Sequence, residues 1–292
     1  MYNKFKKIIA IKKGMSGDKK YYIETDKDEH WLLRVADISQ YDIKKREYEL
    51  MNKLYANGVP MPKVIDFGIC NEGKNVYIIV QWIEGKEVEK IVPQMDEKEQ
   101  YLLGVKSGQA LKLIHSVDSK ISTKEWSERY FAVIDERIDA FKKEGVMFPG
   151  NEKIISFLKA NRWRLKKRPQ CCHHGDYHMG NMIQSNDGQL LIIDWHTVDF
   201  DNYGDPWYEF NRIGVEYPAF ASGQIDGYFG DNPPDDFWVL LAYYLSASAI
   251  TSIVWAKYFA PDQLDSILGL NKSVLQWYDG MKKVIPSWYK RY

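Results

Sequence analysis

The chain has 292 residues, long enough to bury a sizeable core in one enzyme-sized protein of two lobes. Its 40 Lys and Arg balance its 40 Asp and Glu, so no net field draws it to nucleic acid or an anionic membrane, and neither is expected as a partner. Hydrophobic residues at 45% and aromatics at 14% exclude a disordered chain.

The opening "MYNKFKKIIAIKKG" holds only four consecutive apolar residues, Ile8 to Ile11, too few for a signal-peptide core. No uninterrupted apolar run reaches the roughly 20 residues of a membrane span. Of the three cysteines, Cys171 and Cys172 are adjacent and poorly placed for an ordinary disulfide, so a reducing cytoplasm is the expected compartment.

Four β-branched and aromatic runs bounded by Gly, Asn and Asp read as strands: "KYYIET", "HWLLRV", "KVIDFGI" and "NVYIIVQW". Between the second and third, "DIKKREYELMNKLYANG" spaces Ile43, Tyr48, Met51 and Leu54 for a helix that Asn57-Gly58 can stop. Beyond Gly85 the period becomes helical. In "DEKEQYLLGVKSGQALKLIHSV", Leu103, Ala110, Leu111 and Ile114 share one face. A strand-containing loop region follows near 171–200, with "QLLIIDW" as a buried strand, and then an all-round apolar helix in "DDFWVLLAYYLSASAITSIVWAKYF". The expected fold class is α+β, with a small β-rich lobe at 1–84 and a larger, mainly helical lobe at 85–292. The aromatic C-terminal third reads mostly as core.

Four separated pieces carry chemistry. The turn "GMSGD" exposes backbone N–H groups and a hydroxyl at Gly14, Ser16 and Gly17, and such a turn can lie close to phosphates. Arg34 ends a strand, and Glu47 follows on the helix. A strand cation can hold nucleotide phosphates while a helix carboxylate directs it, as Lys and Glu do in protein kinases. In "HHGDYHMGN", Asp176 precedes Asn181 by five residues, the spacing of the kinase catalytic-loop Asp and Asn; one accepts a hydroxyl proton and the other holds a magnesium ion. Asp194 ends an apolar strand, where an acid is costly unless it reaches water or a cation.

The Cys and His count in "CCHHGDYHMGN" also raises zinc. Consecutive residues of an extended segment point opposite ways, and no second Cys/His pair occurs elsewhere, so zinc is disfavoured. His174 reads as an anchor for the loop, His178 as a support for Asp194 or a loop filler, and His115 as an interior histidine. The basic run "RWRLKKRP" at 162–169 reads as a solvated face.

"HHGDYHMGN" with "IIDWHTVDFDNYGDP" resembles the signature of the aminoglycoside phosphotransferase family, and the likeness extends in order through "GMSGD", "LLRV", "KREYELMNKL", "YIIVQWIEG" and "ALKLIHS". The resemblance implies a bilobal protein-kinase-like fold and ATP- and Mg-dependent transfer of the γ-phosphate to a hydroxyl of a small molecule, most of all an aminoglycoside-type antibiotic. Choline, ethanolamine, an amino-acid hydroxyl or another antibiotic are the alternative acceptors, and a silent nucleotide-binding module is the alternative class. It further implies Asp176 as base, Asn181 and Asp194 as magnesium ligands, and Arg34 with Glu47 at the phosphates. The backbone of Gln81 and Ile83 would pair with adenine. The chain departs from the family at Arg34, commonly Lys in protein kinases, at Tyr177 and Met179, and at Glu209, where many members have Asp. A polycationic acceptor calls for acids, and the candidates are Asp199, Asp201, Glu209, Glu216, Asp235 and Asp236.

Overall fold

The computed structural model describes residues 5–12, 17–119, 122–145, 148–196, 199–213, 216–230 and 232–292. Gly14 and Ser16 lie outside the described residues. The chain divides into two compact units, residues 1–91 with 179–197, and residues 92–178 with 198–292.

The first unit is built on a five-stranded antiparallel sheet, β1 (Phe5–Ile11), β2 (Lys19–Thr25), β3 (His30–Asp37), β4 (Val64–Cys70) and β5 (Asn75–Gln81), in the order β1-β2-β3-β5-β4. Alternation along β2, β3 and β5 puts Ile23, Leu33, Val35, Tyr77 and Ile79 on one buried face. The edge strand β1 went unread in the sequence because its residues are largely exposed, Ile8 and Ile9 among them. Helix α1 (Tyr41–Ala56) fills the expected position, but its buried stripe is Lys44, Glu47, Met51 and Leu54, so two charges run through the face that periodicity assigns to apolar residues. A three-stranded sheet completes the unit: β6 (Gly85–Glu87) pairs with β8 (Met182–Ser185), and β8 with β9 (Leu190–Ile192). That pairing, with the short helix α2 (Val88–Ile91) that follows β6, places residues 85–91 and 179–197 with the first unit, which differs from the expected division at residue 84.

The second unit is helical: α3 (Glu97–Ser116), α4 (Trp126–Glu144), α5 (Asn151–Asn161), α6 (Pro218–Phe229), α7 (Asp235–Phe259) and α8 (Leu264–Trp277), with a two-stranded ladder of β7 (Cys171–Cys172) and β10 (Tyr203–Gly204). Helix α3 begins on a reciprocal capping box between Asp96 and Glu99. It buries Leu103, Ala110, Leu111 and Ile114 as the spacing predicts, and also Gly104 and Gly108. Those two glycines face Gly223 and Gly227 of α6. A Cβ at Gly104 would lie 2.1 Å from the Phe220 carbonyl oxygen, and one at Gly108 2.1 Å from that of Gln224. The two backbones therefore meet with no side chain between them. Gly108→Ala forces the helices apart and costs about 1–3 kcal/mol, read as a lower denaturation midpoint in urea. Helix α7 is long and apolar enough to cross a membrane by composition, yet 72% of its apolar window is buried in the protein.

Candidate active site

In the first unit the charges on the buried face of α1 find partners on the sheet. Arg34 donates from Nε and Nη2 to Asp18 Oδ2 at 3.0 and 2.8 Å, and from Nη1 to the Trp195 carbonyl at 2.6 Å. Lys44 Nζ lies 2.9 Å from Asp18 and 3.0 Å from Glu47, while Arg34 Nη2 is 3.6 Å from Glu47. All four side chains are less than 10% exposed. Two cations and two anions thus form a closed buried quartet, and losing any one member strands an opposite charge at about 3–5 kcal/mol. Burial pushes the Asp18 carboxyl up, but Arg34 and Lys44 outweigh it and hold it below the usual range.

The β8–β9 hairpin carries Asn181 and Asp194 at adjoining ends, where the Ile193 N–H donates to the Asn181 carbonyl at 2.9 Å. Asp194 has left-handed backbone, φ 62°, a conformation found for few residues other than Gly, Asn and Asp and often at functional turns. Its Oδ1 is 3.5 Å from Lys20 Nζ. Amide and carboxylate oxygens at one hairpin end are the hard donors that magnesium selects, so this pair fits that ion. Gln81 ends β5, and Ile83 lies in the short link to β6. Gly17 has open space where a Cβ would stand, so packing does not explain its glycine.

Asp176 lies in the second unit, with different neighbours. His178 Nε2 is 3.3 Å from its Oδ2, and Arg212 Nη1 is 2.5 Å from its Oδ1. Burial raises its pKa, but the His178 hydrogen bond and the Arg212 charge dominate and keep the carboxylate ionised far below the usual range. The loop backbone is clamped from beneath: the N–H groups of His174 and Gly175 donate to the two carboxylate oxygens of Glu209 at 2.8 and 2.6 Å. Glu209 also accepts from His115 Nε2 at 3.1 Å. Asn202 Nδ2 donates to the His174 carbonyl at 2.7 Å, and the Asp176 N–H donates to His174 Nδ1 at 3.3 Å. Asn202 ends a run of three left-handed residues, Phe200, Asp201 and Asn202, which Arg129 ties down through the carbonyls of Phe200 and Tyr203 at 2.5 and 2.8 Å. One layer deeper, fully buried Asp205 accepts from Arg168 at 2.7 and 2.9 Å and from Tyr244 at 2.8 Å, and its carbonyl bonds His173 Nε2 at 3.0 Å. Burial lowers the His173 pKa to about 4, which keeps that ring neutral.

A phosphotransferase enzyme family model matches residues 7–238, most of the chain. The chain belongs to the phosphotransferase enzyme family. Among curated proteins it is 22% identical to acyl-CoA dehydrogenase family member 10 of Mus musculus over 174 residues, which are 56% of this chain and 16% of that protein. The chain therefore spans about a sixth of the length of the curated relative it matches. Among solved structures it is similar to a choline/ethanolamine kinase family protein from Mesorhizobium loti, with TM-score 0.65, 13% identity and coverage of 95% of this chain and 91% of that one. It is similar to the GDP complex of aminoglycoside 2'-phosphotransferase-IIIa (0.65, 13%, 92% and 92%). It is likewise similar to ADP-bound aminoglycoside phosphotransferase APH(2'')-Ib (0.62, 18%, 92% and 94%). At these identities the likeness establishes the two-lobed protein-kinase-like fold.

Within this family member the expected site residues fall into two sets. Arg34 and Glu47 share one buried network, and Asn181 and Asp194 share one hairpin, all in the first unit; Asp176 belongs to the second. The sequence reading missed Asp18, Lys44, Arg212 and the clamp by Glu209. It offered Glu209 as an acid for a cationic acceptor, whereas the structure buries it under the loop. It read His178 as a support for Asp194 or a loop filler, and in the structure its Nε2 lies 3.3 Å from Asp176 Oδ2. The basic run 162–169 is largely paired: Arg162 with Asp135, Arg164 with Asp236 and Arg168 with Asp205. Cys171 and His173, being alternate residues, do share a side, and α3 brings His115 to them: one ring nitrogen of each histidine and the Cys171 Sγ lie within 4.8 Å of one another. His115 is bonded at both ring nitrogens, to Glu209 and Tyr228, and His173 at Nε2 to the Asp205 carbonyl, so the trio knits α3 to the loop.

Proposed function

We propose that this phosphotransferase moves the γ-phosphate of ATP to a hydroxyl of a small molecule in the cytoplasm, with Asp176 as the group that orients and deprotonates that hydroxyl. The observation that carries the reading is the catalytic loop: Glu209 fixes its backbone from below, and Asp176 stands ionised beside His178 and Arg212. Phosphoryl transfer asks the protein mainly for positioning and charge, and a clamped loop with a permanently ionised acid supplies both. Asn181 and Asp194 would hold the magnesium ion, which neutralises phosphate charge. The backbone of Gln81 and Ile83 would take the adenine, and the turn of Gly14, Ser16 and Gly17 would lie over the phosphates.

The family resemblance puts an aminoglycoside-type antibiotic first among acceptors, which would make the enzyme an antibiotic-resistance determinant. A second reading is favoured by Arg212. A guanidinium on the catalytic acid repels an ammonium-rich acceptor and attracts one bearing a carboxylate, such as an amino-acid hydroxyl. Two of the acids expected for a polycation, Glu209 and Asp236, are spent on the loop and on Arg164. ADP release measured against aminoglycosides, choline, ethanolamine and hydroxy amino acids separates these readings. Release with a hydroxy amino acid and none with aminoglycosides selects the second. No release with any acceptor despite tight Mg-ATP binding overturns the transferase reading in favour of a nucleotide-binding module.

A further inference from the structure

We propose that His115, Cys171 and His173 form a zinc site at the foot of the catalytic loop. In the sequence, zinc is disfavoured for want of a second Cys/His pair; in the fold, a single histidine near the end of α3 takes that place. One nitrogen of each ring and the Cys171 Sγ lie within 4.8 Å of one another. Tetrahedral zinc, with bonds of about 2.0 Å to nitrogen and about 2.3 Å to sulfur, holds such ligands roughly 3.3–3.5 Å apart. Closure by roughly 1 Å therefore completes the three-ligand set. Two imidazoles and a thiolate are donors that zinc takes and magnesium does not.

The hydrogen bonds behind the two rings set the tautomers that a metal requires. His173 Nε2 lies 3.0 Å from the Asp205 carbonyl oxygen, which can only accept, so Nε2 carries the hydrogen and Nδ1 the lone pair. His115 Nε2 lies 3.1 Å from the Glu209 carboxylate, which fixes the same tautomer in the neutral ring. An imidazole whose far nitrogen donates to a carboxylate or a backbone carbonyl is the arrangement that stands behind metal-bound histidines. The Tyr228 hydroxyl lies 2.9 Å from His115 Nδ1, where it gives a neutral hydrogen that a cation displaces, and its oxygen is then at hand for the fourth position. His173 is 1% exposed and burial keeps it neutral, as a ligand must be. Burial pushes the Cys171 thiol up, so zinc binds by replacing its proton: the S–H bond breaks, the S–Zn bond forms and the proton leaves to solvent. Bound there, the ion ties α3 to β7 and to the residue just ahead of His174, Gly175 and Asp176.

The test is metal titration of the full chain, stripped with a chelator and free of nucleotide. Zinc binds with a stoichiometry of about one, raises the thermal midpoint and releases about one proton, read by calorimetry in two buffers of different ionisation heat. Cobalt, as a coloured stand-in, gives the near-ultraviolet absorption of a metal–thiolate bond, which the oxygen donors of Asn181 and Asp194 cannot produce. Cys171→Ser abolishes that absorption and the tight zinc binding, whereas Cys172→Ser, on the opposite side of the strand, keeps both. Cys171→Ala serves the same purpose should the Ser variant fail to fold. Absence of zinc binding, zinc binding without the thiolate absorption on cobalt, or wild-type zinc affinity in a folded Cys171 variant overturns the assignment. So does loss of the site through Cys172→Ser alone.

Discussion

Asp176→Asn lowers turnover by a hundredfold to ten-thousandfold, the range lost with a positioned base, while Mg-ATP binding stays at the wild-type level. Asparagine keeps the shape of the side chain and can still accept from Arg212, so the loop stays folded and only the proton acceptor is lost. The ionisation of Asp176 far below the usual range makes it a modest base in water, and its contribution is then largely orientation of the hydroxyl in a loose transition state. Steady-state ADP release with the preferred acceptor, set beside calorimetric titration with Mg-ATP, checks both halves. Turnover near wild type in a variant that binds Mg-ATP normally would remove Asp176 from the mechanism.

Glu209→Ala has the larger structural effect. It leaves the buried His174 N–H, the part-buried Gly175 N–H and His115 without their acceptor, which costs about 2–5 kcal/mol. The sign of the pH dependence follows from its ionisation. Burial alone would raise the Glu209 carboxyl, but in the acid range, where His173 itself becomes charged, that charge and the His115 hydrogen bond hold it at about 2 in the folded protein. An unfolded glutamate titrates near pH 4.3, so this stabilisation is complete above that value and is lost as the pH falls towards about 2. Urea denaturation at neutral pH and near pH 3 measures it: Glu209→Gln lies well below wild type at neutral pH, and the gap narrows in acid. A constant gap across that window would show that the carboxylate charge contributes nothing.

Much of the fold was legible because the signals are local and repeated. Strands β2 to β5, helix α1 and helices α3 and α7 follow from periodicity, caps and turn residues. Strand β1 was hidden because an exposed edge strand shows no apolar alternation. The ionic stripe of α1 was hidden for a different reason: Lys44 and Glu47 look like solvent residues until Asp18 and Arg34, distant in sequence, are brought to them. Asp176, Asn181 and Asp194 stood out through motif spacing. Glu209 stood out as a departure from the family motif, but its clamping role, like the contact of Arg212 with Asp176, was hidden because the partners lie more than thirty residues away on the loop. The glycines of α3 and α6 were visible as two four-residue spacings, but only the juxtaposition of the helices gives those spacings a meaning.

That glycine seam also shapes how the protein is made. Gly104 and Gly223 are separated by roughly 120 residues, and a ribosome adding about 5–20 residues per second leaves α3 without its partner for on the order of ten seconds. During that interval the glycine stripe of α3 lacks the α6 backbone that covers it, and the long closure that finally joins the two helices is slow to nucleate. A substitution in the seam is therefore felt twice, as a lower yield of folded protein in the cell and as the lower urea midpoint of the protein that does fold.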